Sequence, residues 1–200
     1  SAQNYQIINP DQQYLYKDEY NNINGIRIDS ITKIDGETIL KNFHTPRNPL
    51  DEDSACYYPF GASWVGKEII IKENGDNIMF NKYNDTLLIK TNLQTDKEWT
   101  FFSKDDIKIK ASVLEIKDTT FLDIQDSIKK IQLKYVGAPD ENINTLNFDK
   151  QIIVSKKYGI LQLFNVYEFP HKDFDLTSYR GTHYNLFDIT GHNDGVNITA

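Results

Sequence analysis

The sequence predicts a mainly β protein: an antiparallel, strongly curved sheet, a sandwich or a half-barrel, built from hairpins with at most short peripheral helices. Three observations lead there. Turn signals recur along the 200 residues. The segments between them are short and rich in Ile, Val, Tyr, Phe and Thr. Two of the turns are Asp35-Gly36 and Asn74-Gly75, pairs that tolerate the positive φ angles of tight hairpins, and strands of alternating polarity flank each.

The elements follow in chain order. "NPDQQYLYKDEY" is the best short helix candidate, with Asn9 as cap and Pro10 at the first helical position. "GIRIDSITKIDGETILKNF" reads as the first hairpin, and "FHTPRNPLDED", with two prolines and an acidic cluster, as a long loop. "GKEIIIKENGDNIMF" repeats the hairpin with Asn74-Gly75 at its tip, and "TLLIKT" and "EWTFF" are further strands. In "DIKIKASVLEIK" the residues Ile107, Ile109, Ala111 and Val113 share one face and Lys108 and Lys110 the other, so one side is buried and the other wet. "DSIKKIQLKYV" sets Ile131, Leu133 and Tyr135 opposite Lys130, Gln132 and Lys134. "KQIIVS" and "GILQLFNVYEF" form a last hairpin whose turn is Lys156, Lys157, Tyr158 and Gly159. The run from Ile160 to Val166 is apolar enough for a strand covered on most of both faces.

The organisation expected is an N-terminal extension with a hairpin over 1–50, a main β domain over 51–170, and a polar segment or linker over 171–200. The hydrophobic share of 39% and charged share of 26% suit a folded chain rather than a disordered one. A net charge of -7 with scattered lysines argues against nucleic acid as a partner, which needs clustered cations for phosphate. No apolar run approaches the eighteen or so residues of a membrane span. The lone Cys56 pairs with nothing inside the chain and reads as structural. "SAQNYQ" at the start has the small residues that remain after signal-peptide cleavage, so an exported protein is expected.

Chemistry-bearing patterns are sparse. His44, His171, His183 and His192 have no metal-ligand spacing. Asp51 and Asp53, and separately Asp188 and Asp194, offer oxygens suited to calcium, the one cofactor considered. Glu68, Glu98 and Glu115 stand on strands where a glycosidase pair would sit. Tyr57, Tyr58, Trp64, Trp99 and Phe101 are the candidate ligand wall, with the sheet core as the competing use of the same side chains.

"YYPFGASW", "DTLLIKTNLQTDKEWTFF", "IKASVLEIKDTTFLDIQDSIKKIQL" and "IIVSKKYGILQLFNVYEFP", taken in that order, resemble the N-terminal region of uncharacterised secreted Bacteroidota proteins. In those proteins a C-terminal sorting domain often directs export through type IX secretion. The likeness covers roughly residues 57 to 170. A looser similarity is to half-barrel lipoprotein-like sheets. The resemblance implies a secreted or cell-surface protein whose partner is an extracellular protein or a glycan, and it implies no catalytic residue. The expected function is a non-catalytic structural or binding module. The alternatives are a barrel-like binder of a lipid or glycan, which needs an internal apolar pocket, and a hydrolase of a surface polymer.

Overall fold

The computed structural model describes residues 5–10, 12–17, 23–44, 62–136, 150–170 and 183–189. Among these residues there is no helix. The strands are β1 (Tyr14–Lys17), β2 (Ile23–Ile34), β3 (Glu37–His44), β4 (Glu68–Lys72), β5 (Asp76–Phe80), β6 (Thr86–Lys90), β7 (Glu98–Lys104), β8 (Ile107–Phe121), β9 (Ile124–Tyr135), β10 (Gln151–Ser155), β11 (Gly159–Phe164) and β12 (His183–Ile189).

Local turn chemistry sets most of the pairing. Asp35 and Gly36 both take positive φ, 47° and 78°, and join β2 to β3 in a two-residue turn with Ile34 opposite Glu37. The β4–β5 connection is a residue longer, Glu73 to Gly75, and only Gly75 is left-handed at 85°. The Gly75 amide donates to Lys72 O at 3.0 Å, and Asn74 Oδ1 accepts from the Asp76 amide at 2.9 Å. The β8–β9 turn has no sequence signature: Leu122 and Asp123 sit at φ 47° and 57° without a glycine or an asparagine.

Every pairing is antiparallel, and the strand order is β6-β5-β4-β3-β2-β1-β12-β11-β10-β9-β8-β7. β2 joins two sheets: Ile23–Ile26 pair with β1, whereas Arg27–Ile34 pair with β3. The larger sheet is strongly curled, as expected of the fold class. The two ends of the order, β6 and β7, return to each other's side, where Trp99 Nε1 donates to Leu88 O at 2.7 Å. Outer faces carry opposite charges directly across strands: Lys41–Glu68 at 3.1 Å, Lys72–Glu37 at 2.8 Å, Lys90–Asp76 at 3.1 Å and Lys130–Glu115 at 2.9 Å. Such exposed pairs fix register more than they add stability.

The interior is packed with side chains. Phe101, Phe102, Phe164 and Phe169 meet edge to face or tilted at 4.9 to 6.1 Å, and Tyr16 stands edge-on to Trp64 at 4.9 Å while its hydroxyl donates to Ile160 O. From the segment Tyr5–Ile8 the side chains of Tyr5, Ile7 and Ile8 are buried while Gln6 is exposed, and Ile7 O accepts from the Ile160 amide at 2.8 Å. Its backbone comes so close to Gly159, φ 78°, that a Cβ there would stand 2.4 Å from Ile7 O. The apolar β11 is covered as expected, with all but Gln162 buried.

Two placements differ from the sequence expectation. The helix proposed around Asn9-Pro10 is instead a turn, with Gln12 N donating to Asn9 O, followed by strand β1. Tyr14 and Tyr16 both bury their rings, and only a two-residue period sends both to one face. Residues 183–189, inside the polar 171–200 segment, supply β12 between β1 and β11.

Candidate functional site

The tips of the β2–β3 and β4–β5 hairpins, together with Tyr5 and Thr91, enclose an open groove of about 470 Å3. Its rim is charged: Lys33, Asp35 and Glu37 come from the first hairpin, and Lys72 and Glu73 from the second. Lys72 and Glu37 are paired at 2.8 Å, and that bond holds the Lys72 ammonium above its usual range. Glu73 reaches across to the first hairpin, so that a Cβ on Gly36 would stand 3.4 Å from its carboxyl carbon. Ile34 and Ile71 form the apolar part of the wall, and Ile34 is 54% exposed.

The floor is made by Asn77, in the inward phase of β5, and by buried Thr91, just past the end of β6. Asn77 alternates with buried Met79 on β5 and is only 1% exposed. Its Nδ2 donates to Gly75 O at 2.9 Å and Ile89 O at 3.2 Å, and more weakly to Thr91 Oγ1 at 3.5 Å. The Thr91 hydroxyl donates to Gly75 O at 3.1 Å. Those bonds fix the amide's orientation and leave Asn77 Oδ1 buried with no donor. An unmet buried acceptor of this kind costs about 1–3 kcal/mol.

Behind the groove lies a second polar element. Lys129 shares the phase of Ile131 and Leu133 on β9 and is 1% exposed. Its Nζ donates to Thr91 O at 2.5 Å and Leu93 O at 2.6 Å and stands 4.6 Å from the centre of the Tyr5 ring. It clips the β6–β7 connection to the interior. Burial lowers its pKa to about 8. Tyr5 links this region to a third cluster, because its hydroxyl donates to Ser127 Oγ at 2.9 Å. There, buried Asp126 accepts from the Ser155 hydroxyl and from the amides of Ser127 and Lys157 at 2.7 and 3.3 Å, while Ser155 Oγ accepts from the amides of Lys157 and Tyr158. The cluster locks the Ser155–Gly159 turn.

The residues singled out in the sequence are dispersed. Trp64, Trp99 and Phe101 are 6%, 7% and 1% exposed; they pack in the interior and do not line the groove. Tyr57, Tyr58, Asp51, Asp53, Asp194, Cys56, His171 and His192 lie outside the described residues. Asp188 sits in β12 opposite Leu15 of β1, and His183 pairs with Phe164 of β11. Among the described residues no three His, Cys, Asp or Glu side chains form a metal-binding group. Glu68, Glu98 and Glu115 each meet a lysine, Lys41, Lys110 and Lys130.

Sequence reasoning passed over Tyr5, Asn77 and Lys129. The signal was present for two of them: a polar residue in the apolar phase of a strand, Asn77 with Met79 and Lys129 with Ile131, is the informative exception to alternation. Chemically the groove is lined by both donors and acceptors, lysines, hydroxyls and amides beside three carboxylates, so it suits a polar ligand. No protein-family model, no curated protein and no solved structure matches the chain.

Proposed function

We propose that this chain is a non-catalytic binding module, exported and displayed at or released from the cell surface, that takes a small polar ligand in the groove at its hairpin tips. The observation that carries the reading is the groove itself, an open space of about 470 Å3 between two hairpin tips, with a charged rim and with buried Asn77 and Thr91, fixed by hydrogen bonds, among its lining. Two networks hold that floor still, the Asn77–Gly75–Thr91 bonds and the Lys129 clip. A preorganised floor lowers the ordering cost of binding. The resemblance to secreted Bacteroidota proteins supports the location, and glycans are the ligand class that fits both the location and the polarity.

The test is a thermal-shift screen of the purified chain against glycans, fatty acids, calcium, zinc and chelator, repeated on Ile34→Trp, which places an indole on the exposed groove wall. A ligand of the native state at a hundredfold excess over its Kd adds about 2.7 kcal/mol of stability. The expected result is a rise in midpoint with a glycan in the wild type that Ile34→Trp abolishes. A shift with fatty acids that survives Ile34→Trp would replace the reading with a lipid cavity elsewhere, and a flat screen would leave a structural scaffold.

A further inference from the structure

Strand register places a lysine directly across from a carboxylate at four points of the outer faces, Lys41–Glu68, Lys72–Glu37, Lys90–Asp76 and Lys130–Glu115. Lys110 of β8 and Lys134 of β9 oppose each other in the same direct way, and their charges are alike. Buried Ala111 and Leu133 beside them fix both lysines in the outward phase. Like charges rooted about 5 Å apart across a strand pair are destabilising. Glu98 reaches Lys110 at 3.4 Å, but its side chain is 59% exposed, and so loose a contact neutralises little. Lys134, and exposed Lys108 one outward step along β8 from Lys110, make no ion pair among the described residues. A chain with a net charge of -7 thus carries three lysines together on one flat face, brought there by the pairing of two strands.

We propose that the outer face of β7, β8 and β9 binds an acidic polysaccharide, whose anionic groups supply the charge that the register leaves out between Lys110 and Lys134. Lysine heads on flexible stems can both turn to one anion held between them. Lys108 stands about 7 Å farther along the strand and meets a second anionic group of the same polymer. The side chains between and beside the lysines are Thr100, Ser112, Gln132 and Gln151, hydroxyls and amides that match the hydroxyls of a sugar. No aromatic ring stands in the outward phase of these strands among the described residues, so the face offers nothing on which a nucleic-acid base would stack. None of these residues lines the groove, and the two proposals stand or fall separately.

The experiment is surface plasmon resonance of the full chain over immobilised alginate, a polyuronate, and over neutral dextran. Binding is expected on alginate alone and is expected to weaken with salt. The paired variant Lys110→Gln, Lys134→Gln should lose roughly tenfold in affinity. A second paired variant, Lys41→Gln with Lys90→Gln, removes the same charge from the outer face of the other sheet and should lose less than about twofold. Lys134→Glu sets an opposite charge across from Lys110, so it should lose binding while its thermal midpoint holds or rises, which separates the loss from unfolding. Ile34→Trp, on the groove wall, should bind alginate as the wild type does. Equal losses in the two paired variants would reduce the effect to net charge and overturn the proposal, as would absence of binding to alginate. Binding of a DNA duplex or of anionic lipid vesicles more tightly than alginate, with the same dependence on Lys110 and Lys134, would replace the polysaccharide with another polyanion.

Discussion

Tyr5 stands between two buried polar clusters that are built from similar side chains and end differently. On one side Asp126, Ser127 and Ser155 exchange hydrogen bonds with one another and with the turn that follows, and both Asp126 oxygens are engaged. On the other side Asn77 and Thr91 spend their donors on Gly75 and Ile89, and Asn77 Oδ1 is left over. In the first cluster the carboxylate and both serine hydroxyls are engaged within the chain, as a structural lock requires, although the Tyr158 hydroxyl on the turn it holds is buried without a hydrogen-bond partner among the described residues. The second is complete only on its donor side, and its residues Asn77 and Thr91 line a groove. The difference teaches where to look for function in an all-β scaffold. Burial of polar atoms occurs at both places, and of the two clusters only the one with Asn77 and Thr91 lines the open groove.

The sharpest way to break the comparison is to remove a side chain from the packed interior that lies beyond both clusters. Phe101→Ala is expected to cost about 3–5 kcal/mol in urea denaturation, the range for truncating a fully buried phenylalanine. If Phe101 were a ligand wall rather than core, the loss would fall well below that range. Next comes the lock itself. Asp126→Ala strips the acceptor from the Ser155 hydroxyl and from two amides, and should destabilise by about 3 kcal/mol. A change within experimental error in the same denaturation assay would show that the turn closes without its carboxylate.

Lys129 lies on the boundary between the two regions, and its response to pH sharpens the contrast. Its folded pKa is about 8 against an ordinary lysine value of 10.5. Below pH 8 both folded and unfolded chains hold the proton, and the cost of burying the ammonium stands in full. Between the two values the unfolded chain binds more protons, so the native state gains stability as pH rises. The neutral amine still has donors for Thr91 O and Leu93 O. Wild type minus Lys129→Met is therefore expected to gain about 2 kcal/mol between about pH 7.5 and 9.5. That window stays below the ionisation of buried Tyr14, which burial pushes up to about 12. Parallel stability curves for the two proteins would mean that the clip carries no charge penalty.

The closed half of the molecule was more legible in the sequence than the open half. Period-two alternation places β8 and β9, because alternation along a strand is a local property; on the open side the same locality marks the Asp35-Gly36 turn. The run at Ile160–Phe164 reads as a doubly covered strand from composition alone. Asn9-Pro10 was misleading, since a helix-start signal lost to the two tyrosines that had to share a face. β12 was invisible, because a strand that closes the order between β1 and β11 is fixed by long-range pairing. The groove was illegible for the same reason: Tyr5, Asn77 and Thr91 meet only after hairpins far apart in the chain have taken register. What the sequence did carry was the phase error at Asn77 and at Lys129.

The smallest expected effect is the one that separates the two regions most cleanly. If the rim of the groove exists for a ligand, Asp35 and Glu73, which unlike Glu37 make no ion pair among the described residues, hold no part of the fold. Asp35→Asn and Glu73→Gln should then leave the denaturation midpoint within about 0.5 kcal/mol of wild type, as surface substitutions away from buried contacts do. Asn at position 35 keeps the left-handed turn, and Gln at 73 keeps the side-chain contact with Gly36. Charge thus changes while shape does not. A loss of more than about 1 kcal/mol in either variant would place these carboxylates with Asp126, as members of a lock, and the distinction between a finished and an unfinished cluster would fail at the groove. Near-neutral stability combined with altered ligand affinity in the same two proteins is an outcome that a purely structural groove does not produce.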